Sequence, residues 1–307
     1  MNKRKVIIDT DPGYDDACAI ALASLSDKLE IIGITTEAGN QTIEKVTKNA
    51  LNLVSFFNIK CPVAKGMSQP LLKKLVTGKV HGETGLDNIK FAENNLELDK
   101  RNAVQFIIDS CLQNDKITLI TIGPLTNIAM AIRLEPKIKS HIELISIMGG
   151  SIGCGNVTPA AEYNVYADPE SAYIVFDSGI PIKMNGLDVT NLTVPDDEII
   201  EKFSKINTKS SKLFVDCMKN LAFFMNKYFG KNYGSMHDSV AVLTLIDESL
   251  VKYKKAIVEV DTSRGCSYGR TNCDIYSEKA KISNIEVAVE IDIKKFWDII
   301  EELYKKY

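Results

Sequence analysis

Short runs of β-branched and other apolar residues recur along the chain: "KVIID", "EIIGITT", "KITLITIG", "IELISIMGG" and "IPIKMNG". Between them lie longer stretches with helical spacing: "DDACAIALASLS", "TIEKVTKNALNLVSFF", "RNAVQFIIDSCLQN", "NIAMAIRLEPKI" and "PESAYIVFDSG". The apolar runs are nearly continuous rather than alternating, as expected of strands covered on both faces. Such strand-helix alternation predicts an α/β fold, an open, mostly parallel Rossmann-like sheet flanked by helices. From about residue 196 the pattern turns helical, with "DDEIIEKFSKI", "SKLFVDCMKNLAFFMNKYF" and "HDSVAVLTLID". Two more strands, "KKAIVEV" and "NIEVAVEID", and a closing helix "KKFWDIIEELYKK" follow. No repeat, low-complexity tract or Pro/Gly/Ser linker interrupts the chain, so the expectation is a single domain over residues 1–307 with a helical segment over the active site.

In an open parallel sheet, ligands bind outside the carboxyl ends of the strands. Those ends carry "DTDPGYDD", "EAGN", "TIGPLTN", "MGG" with "GNVTPAAEYN", and "NGLD", and a late helix opens with "HD". Carboxylates, amides and glycines dominate, with hardly any lysine or arginine. The first of these segments crowds Asp9, Asp11, Asp15 and Asp16 around a Pro-Gly turn. Carboxylates forced together repel, and each pKa rises unless a cation compensates. Oxygen donors with no Cys or His at metal-site spacing point to a hard divalent ion, calcium or magnesium, rather than zinc. Asp15 and Asp16 alone also suit a helix N-terminus, but capping leaves the other aspartates unexplained.

The chain is 25% charged with a net charge of -3 and has no basic run, which argues against a nucleic-acid or acidic-membrane partner. A small-molecule ligand is the better expectation. Seven cysteines, an odd number with no CxxC pair, favour a reducing compartment. The opening "MNKRKVIIDTD" has an apolar run too short for a signal-peptide core or a membrane span, and the protein is read as cytoplasmic.

The segments "DTDPGYDDA", "AGNQT", "IGPLTNIAMA", "MGG", "GNVTPAAEYNVYADPESA" and "HDSVAV" occur in the order and at about the spacing found in nucleoside hydrolases. The chain resembles the inosine-uridine-preferring branch of that family from about residue 5 to the closing helix. The resemblance implies calcium-dependent hydrolysis of the N-glycosidic bond of ribonucleosides, giving ribose and free base, in nucleoside salvage. It implies metal ligation by Asp11, Asp16, Asp238 and the backbone carbonyl of Ile122, with Asp11 also the general base. Asp15, Asn40, Asn164 and Asp238 are then the grip on the 2′ and 3′ hydroxyls, Asn156 and Glu162 hold the 5′ hydroxyl, and Met148 lines the ribose pocket. His237 matches the acid that assists the leaving base, His81 a second histidine at the rim, and Tyr228 and Tyr233 mobile residues that close over the base. It also implies a homodimer or homotetramer.

This assignment fits the chemistry. Breaking a ribosyl C–N bond builds positive charge on the sugar, so an anionic, amide-lined pocket stabilises the transition state more than the substrate. Asp9 is expected to orient the site from behind, His141 to lie at the surface, and the cysteines and Trp297 to be core or neutral. With His237 in place of a base-stacking tryptophan, uridine, inosine and cytidine stay open. Met225 and Phe229, where a strictly pyrimidine-specific relative would have Thr and Gln, tilt the expectation to uridine and inosine. Two rivals remain from sequence: a phosphatase of haloacid dehalogenase type, which also sets aspartates two apart after its first strand but has Thr or Val where Gly13 stands, and a non-catalytic calcium- or ribose-binding module.

Overall fold

The structure, a computed structural model, describes residues 3–306, so the outermost positions 1, 2 and 307 of the expected domain lie outside the described residues. The first half alternates as the apolar pattern predicts: β1 (Arg4–Thr10), α1 (Tyr14–Leu25), β2 (Leu29–Thr36), α2 (Ile43–Phe57), β3 (Val63–Lys65), α3 (Ala103–Gln113), β4 (Ile117–Thr121), α4 (Thr126–Leu134) and β5 (Ile142–Met148). Two adjoining helices, α5 (Tyr163–Ala167) and α6 (Pro169–Phe176), lead to β6 (Ile182–Asn185) and α7 (Leu187–Thr190). The helical segment is α8 (Asp197–Ile206), α9 (Lys209–Phe229) and α10 (His237–Ile246). After it come β7 (Val251–Lys255), β8 (Ile257–Val260), β9 (Thr271–Asp274), β10 (Ile285–Ile291) and α11 (Ile293–Tyr304).

Eight strands form one sheet in the order β3-β2-β1-β4-β5-β6-β10-β7, parallel throughout except for β7, which runs antiparallel on β10. Its strands are sandwiched: Val6 and Ile8 face one apolar core with α1, α9 and α10, while Ile7 faces the other with α3, α4 and α6. Burial on both faces removes the period-2 signal from β1, β4 and β5, which is why they read as unbroken apolar runs.

The strand order reverses between β1 and β4, and the crevice above this switch point is where open α/β sheets bind ligands. Five pieces of the chain differ from expectation. "KKAIVEV" is not one strand: β7 ends at Lys255, Ala256 is buried between the sheets, and β8 pairs with β9 in a separate antiparallel ribbon. β3, β9 and the short α5 and α7 had no expected counterpart, because three to five residues are too few to display a period. No helix among the described residues is long and apolar enough to cross a membrane.

Candidate active site

β1 delivers Asp11 to the crevice one residue past its end, and the Pro12–Gly13 turn starts α1 with Asp15 and Asp16 in its first turn. β4 delivers Ile122, β5 ends on Met148, and Asn40 follows β2 on the "AGN" loop. From the other side, α10 begins at His237 and presents Asp238 in its first turn. Asp15, Asp16 and Asp238 are buried, and each offers a carboxylate oxygen within 4.8 Å of the others.

Fixed donors hold these carboxylates apart. Asp16 accepts from the Thr10 hydroxyl at 2.6 Å, from the Gly13 amide at 2.9 Å and from Asn40 Nδ2 at 3.2 Å. Asp11 Oδ2 accepts from the Asn40 amide at 2.6 Å, whereas Asp11 Oδ1 is buried with no hydrogen-bond partner. Gly39 and Gly123 flank this carboxylate so closely that a Cβ at either would collide with it, which explains glycine in both loops. An orphaned buried carboxylate oxygen beside three crowded carboxylates is expensive as a bare arrangement and well suited to a cation. These residues therefore have the chemistry and the spacing to hold a metal ion.

Burial raises the Asp15 pKa to about 8, with Asp16 adding to the rise. Asp11 and Asp238 are pushed well above the usual carboxylate range, first by burial and then by neighbouring aspartates. Asp16 is raised by burial and partly restored by Thr10 and Gly13. A divalent ion reverses this balance by favouring every ionised form at once.

Above the cluster lies a cavity of about 440 Å³. Asp15, Asn40, His81, Ile122, Met148, Asn156, Glu162, Asn164, His237, Asp238 and Tyr233 line it, whereas Asp11 and Asp16 lie beneath its floor. Asn164 Nδ2 spans the strand ends, donating to Ile122 O at 3.2 Å and to Met148 O at 3.1 Å. Glu162 caps α5, accepting from the Asn164 amide at 2.9 Å and the Val165 amide at 3.2 Å, and also takes the Gly150 amide at 2.9 Å. Asn156 Oδ1 accepts from the Tyr163 amide at 3.0 Å, leaving its Nδ2 free to point elsewhere.

The two histidines are neutral. Burial drives His81 down to about 3 and His237 to about 4. The Tyr14 amide donates to His81 Nδ1 at 3.2 Å, so that nitrogen is an acceptor and Nε2 carries the proton. His81 Nε2 then faces Asp15 Oδ1 at 3.9 Å, too long for a direct hydrogen bond and not an ion pair with a neutral ring. His237 Nδ1 lies 2.8 Å from the Thr190 hydroxyl of α7.

Tyr228 is placed outside the cavity. Leu221, Met225 and Phe229 share the α9 stripe that lines the cavity, spaced by four residues, while Tyr228 falls on the neighbouring stripe and stacks on Phe224 at 6.4 Å outside the cavity. Asp9 is buried behind the cluster, accepting from the Thr35 hydroxyl at 2.5 Å and Asn127 Nδ2 at 2.8 Å. His141 is half-buried with Nδ1 3.0 Å from Asn114 O, away from the cavity, and Trp297 packs in the core against Phe203 and Phe214. Sequence reading missed Glu37, Tyr163, Thr190, Asn191, Lys79 and Lys231. Glu37 carried the same signal as Asp9, a carboxylate closing a buried strand. The two lysines reach the cavity from covering loops rather than from strand ends.

The model of the inosine-uridine preferring nucleoside hydrolase family matches residues 6–298. Among curated relatives, the pyrimidine-specific ribonucleoside hydrolases RihB of Shigella flexneri serotype 5b (strain 8401) and of Escherichia coli O17:K52:H18 (strain UMN026 / ExPEC) are each 41% identical over 309 residues, covering 100% of this chain and 99% of the relative. Among solved structures, the plant nucleoside hydrolase PpNRh1 superposes with a TM-score of 0.92 at 30% identity, covering 100% of both chains. The purine-preferring ribonucleoside hydrolase from Gardnerella vaginalis superposes with a TM-score of 0.91 at 32% identity, covering 99% of this chain and 100% of the other. An acidic cluster at the sheet's switch point, a cavity lined by oxygen and amide groups above it and these full-length matches together place the chain in the inosine-uridine preferring nucleoside hydrolase family, as an N-glycosyl hydrolase of ribonucleosides.

Proposed function

We propose that this enzyme hydrolyses uridine and inosine, and cytidine less readily, to ribose and free base with a calcium ion held by Asp11, Asp16, Asp238 and the Ile122 carbonyl. The observation that carries the reading is the orphaned Asp11 Oδ1 beside the Asp15–Asp16–Asp238 cluster, under a cavity lined with oxygen and amide groups. Carboxylates together with a backbone carbonyl suit calcium's flexible oxygen shell better than magnesium's strict octahedron. When bound, the ion offsets the cluster's charge, lowers the pKa of the attacking water and draws in a vicinal diol.

Asp11 takes the proton from that water as its oxygen adds to C1′. Asp15, Asn40, Asn164 and Asp238 hold the 2′ and 3′ hydroxyls, with Asn156 and Glu162 at the 5′ hydroxyl and Met148 beneath the ribose. As the C1′–N bond breaks, its electron pair leaves with the base. A Thr190 hydroxyl that donates to His237 Nδ1 keeps Nε2 protonated and aimed at the cavity, where His237 donates to the departing nitrogen; His81 Nε2–H is a second donor at the rim.

Both cores rest on one sheet, which supports a single domain. The free cysteines, Cys154 and Cys266 exposed among them, support a reducing cytoplasm, and a role in nucleoside salvage there rests on the family resemblance. Assembly as a homodimer or homotetramer rests on the family resemblance. The test is a substrate panel of uridine, inosine, cytidine, adenosine, ribose 5-phosphate and a phosphate ester. Ribose release from the first two above the rest is the expected result, and phosphate release overturns the reading. The names of the curated relatives favour pyrimidine nucleosides, so a uridine rate above that for inosine is also expected.

A further inference from the structure

The charges around the cavity are separated by sign. The carboxylates that line it, Asp15, Asp238 and Glu162, are buried, with Asp11 and Asp16 buried beneath, whereas the lysines that line it, Lys79 and Lys231, are exposed and so belong to its mouth. Lys231 follows the last turn of α9 and lines the same cavity as the leaving-group His237.

Its position is built rather than incidental. α9 ends at Gly230 in the left-handed conformation (φ 65°), and the Lys231 amide turns back to donate to Met225 O at 3.4 Å. This cap turns the segment after α9 back along the cavity, so that Lys231 and Tyr233 join Met225 and Phe229 of α9 in lining it. Among the described residues no carboxylate makes a salt bridge with Lys231.

Glycosidic cleavage separates charge along the C1′–N axis, positive on the ribosyl carbon and negative on the nitrogen that keeps the bonding pair. Acids at one end and a cation at the other match that separation. Resting on the nucleoside hydrolase reading above, we propose that Lys231 binds the departing base and stabilises its developing negative charge, working with the His237 N–H. The step balances. Water oxygen bonds to C1′, its proton passes to Asp11, the C1′–N pair stays on the base, and the freed base takes its proton from solvent, while His237 keeps its single N–H and acts as a hydrogen-bond donor. Lys231 supplies a field and a hydrogen bond and gives up no proton.

The corollary concerns the substrate class: dependence on Lys231 grows with the basicity of the leaving group. A poorly basic leaving group carries its own charge and needs little help.

The experiment compares wild type, Lys231→Met and Lys231→Arg on uridine and on 4-nitrophenyl β-riboside, with ribose inhibition measured in each. Lys231→Met is expected to lower kcat/KM for uridine by roughly 10–100-fold, less than a buried oxyanion donor because the lysine is exposed. The same variant loses less than about threefold on the nitrophenyl riboside, Lys231→Arg recovers most of the uridine rate, and ribose inhibition is unchanged. Equal losses on the two substrates mark a merely structural role and overturn the proposal, as does an unimpaired Lys231→Met on uridine. A wild type inactive on every riboside instead overturns the reading of function on which this rests.

Discussion

Asp9 and Glu37 face each other as two fully buried carboxyls behind the acidic cluster, each with one oxygen that has no donor: Asp9 Oδ2 and Glu37 Oε1. Two carboxylates cannot satisfy each other, but a carboxylic acid can donate to a carboxylate, so the pair holds a proton. Asp9 has the stronger claim to ionise, since Thr35 and Asn127 already donate to its Oδ1, and its pKa is raised only to about 6. Glu37 is driven well above the ordinary range by burial and by Asp9, and it is the acid of the pair. A glutamate raised in the folded state binds its proton more tightly there than in the unfolded chain. Its stabilising effect is thus full at acid pH and is lost as pH climbs through the folded value. Glu37→Gln supplies a permanent N–H donor to Asp9 and removes this loss. Thermal unfolding is expected to show the variant roughly 1–2 kcal/mol more stable than wild type at pH 8 and about equal at pH 5. A variant less stable at pH 8 would remove the proton from Glu37.

The same linkage acts in the acidic cluster, with the proposed calcium ion as the control. Without metal, the raised Asp11, Asp15 and Asp238 make the folded chain bind more protons than the unfolded chain, so stability falls as pH rises above the ordinary carboxylate range. Asp15, at about 8, carries that decline into the mildly alkaline region. In chelator the melting temperature is expected to drop between pH 6 and pH 8. Calcium at about 100 times its Kd should restore about 2.7 kcal/mol at pH 8. Asp238→Asn relieves repulsion while deleting a proposed ligand, so it should melt higher than wild type in chelator and show no calcium shift. A calcium shift that survives in Asp238→Asn removes Asp238 from the metal.

In the proposed mechanism Asp11 and His237 serve two halves of the reaction. If Asp11 is both a metal ligand and the base for water, Asp11→Ala should lower turnover by roughly 10³-fold or more on every riboside. If His237 is the donor to the departing nitrogen, His237→Ala removes only that donor. Uridine and inosine should lose roughly 10²-fold, while a nitrophenyl riboside, whose leaving group needs no proton, stays within a few-fold. Steady-state kinetics on both substrate types decides this, and equal losses in His237→Ala would strike it from the leaving-group role.

How much was legible in the sequence follows from where each signal lives. β1, β2, β4, β5 and β6, with the helices between them, announce themselves because doubly covered strands must be apolar and their helices must bury a face. The strand-end motifs then place Asp11, Asn40, Ile122 and Met148 in one crevice, since parallel strands deliver their carboxyl ends to the same side. The break at Ala256 was not legible, because β7 runs into β8 with no Gly, Pro or other turn residue between them and only tertiary packing assigns them to different sheets. Lys231 was hidden for a related reason. It reaches the cavity through the cap of α9, and the sequence does not tell where the end of a long helix lies over the sheet.

The α9 helix offers the sharpest test of side-chain placement. Phe229 lies on the cavity-lining stripe with Leu221 and Met225, whereas Tyr228, one residue earlier, joins a stack of rings running through Phe224 and Tyr14 to His81. Successive helical residues point about 100° apart, so both cannot face the base while the helix keeps this orientation. Phe229→Ala therefore removes apolar surface from the base end, and it should raise KM for uridine by roughly 5–10-fold with kcat little changed, the loss expected for about half of a buried aromatic ring. Tyr228→Ala should leave both constants within about twofold, because the exposed end of the stack is not needed to hold His81, whose Nδ1 is fixed by the Tyr14 amide. Should Tyr228→Ala raise KM more than Phe229→Ala does, the helix must turn when substrate binds, and Tyr228 regains the base contact that its neighbour holds in this conformation.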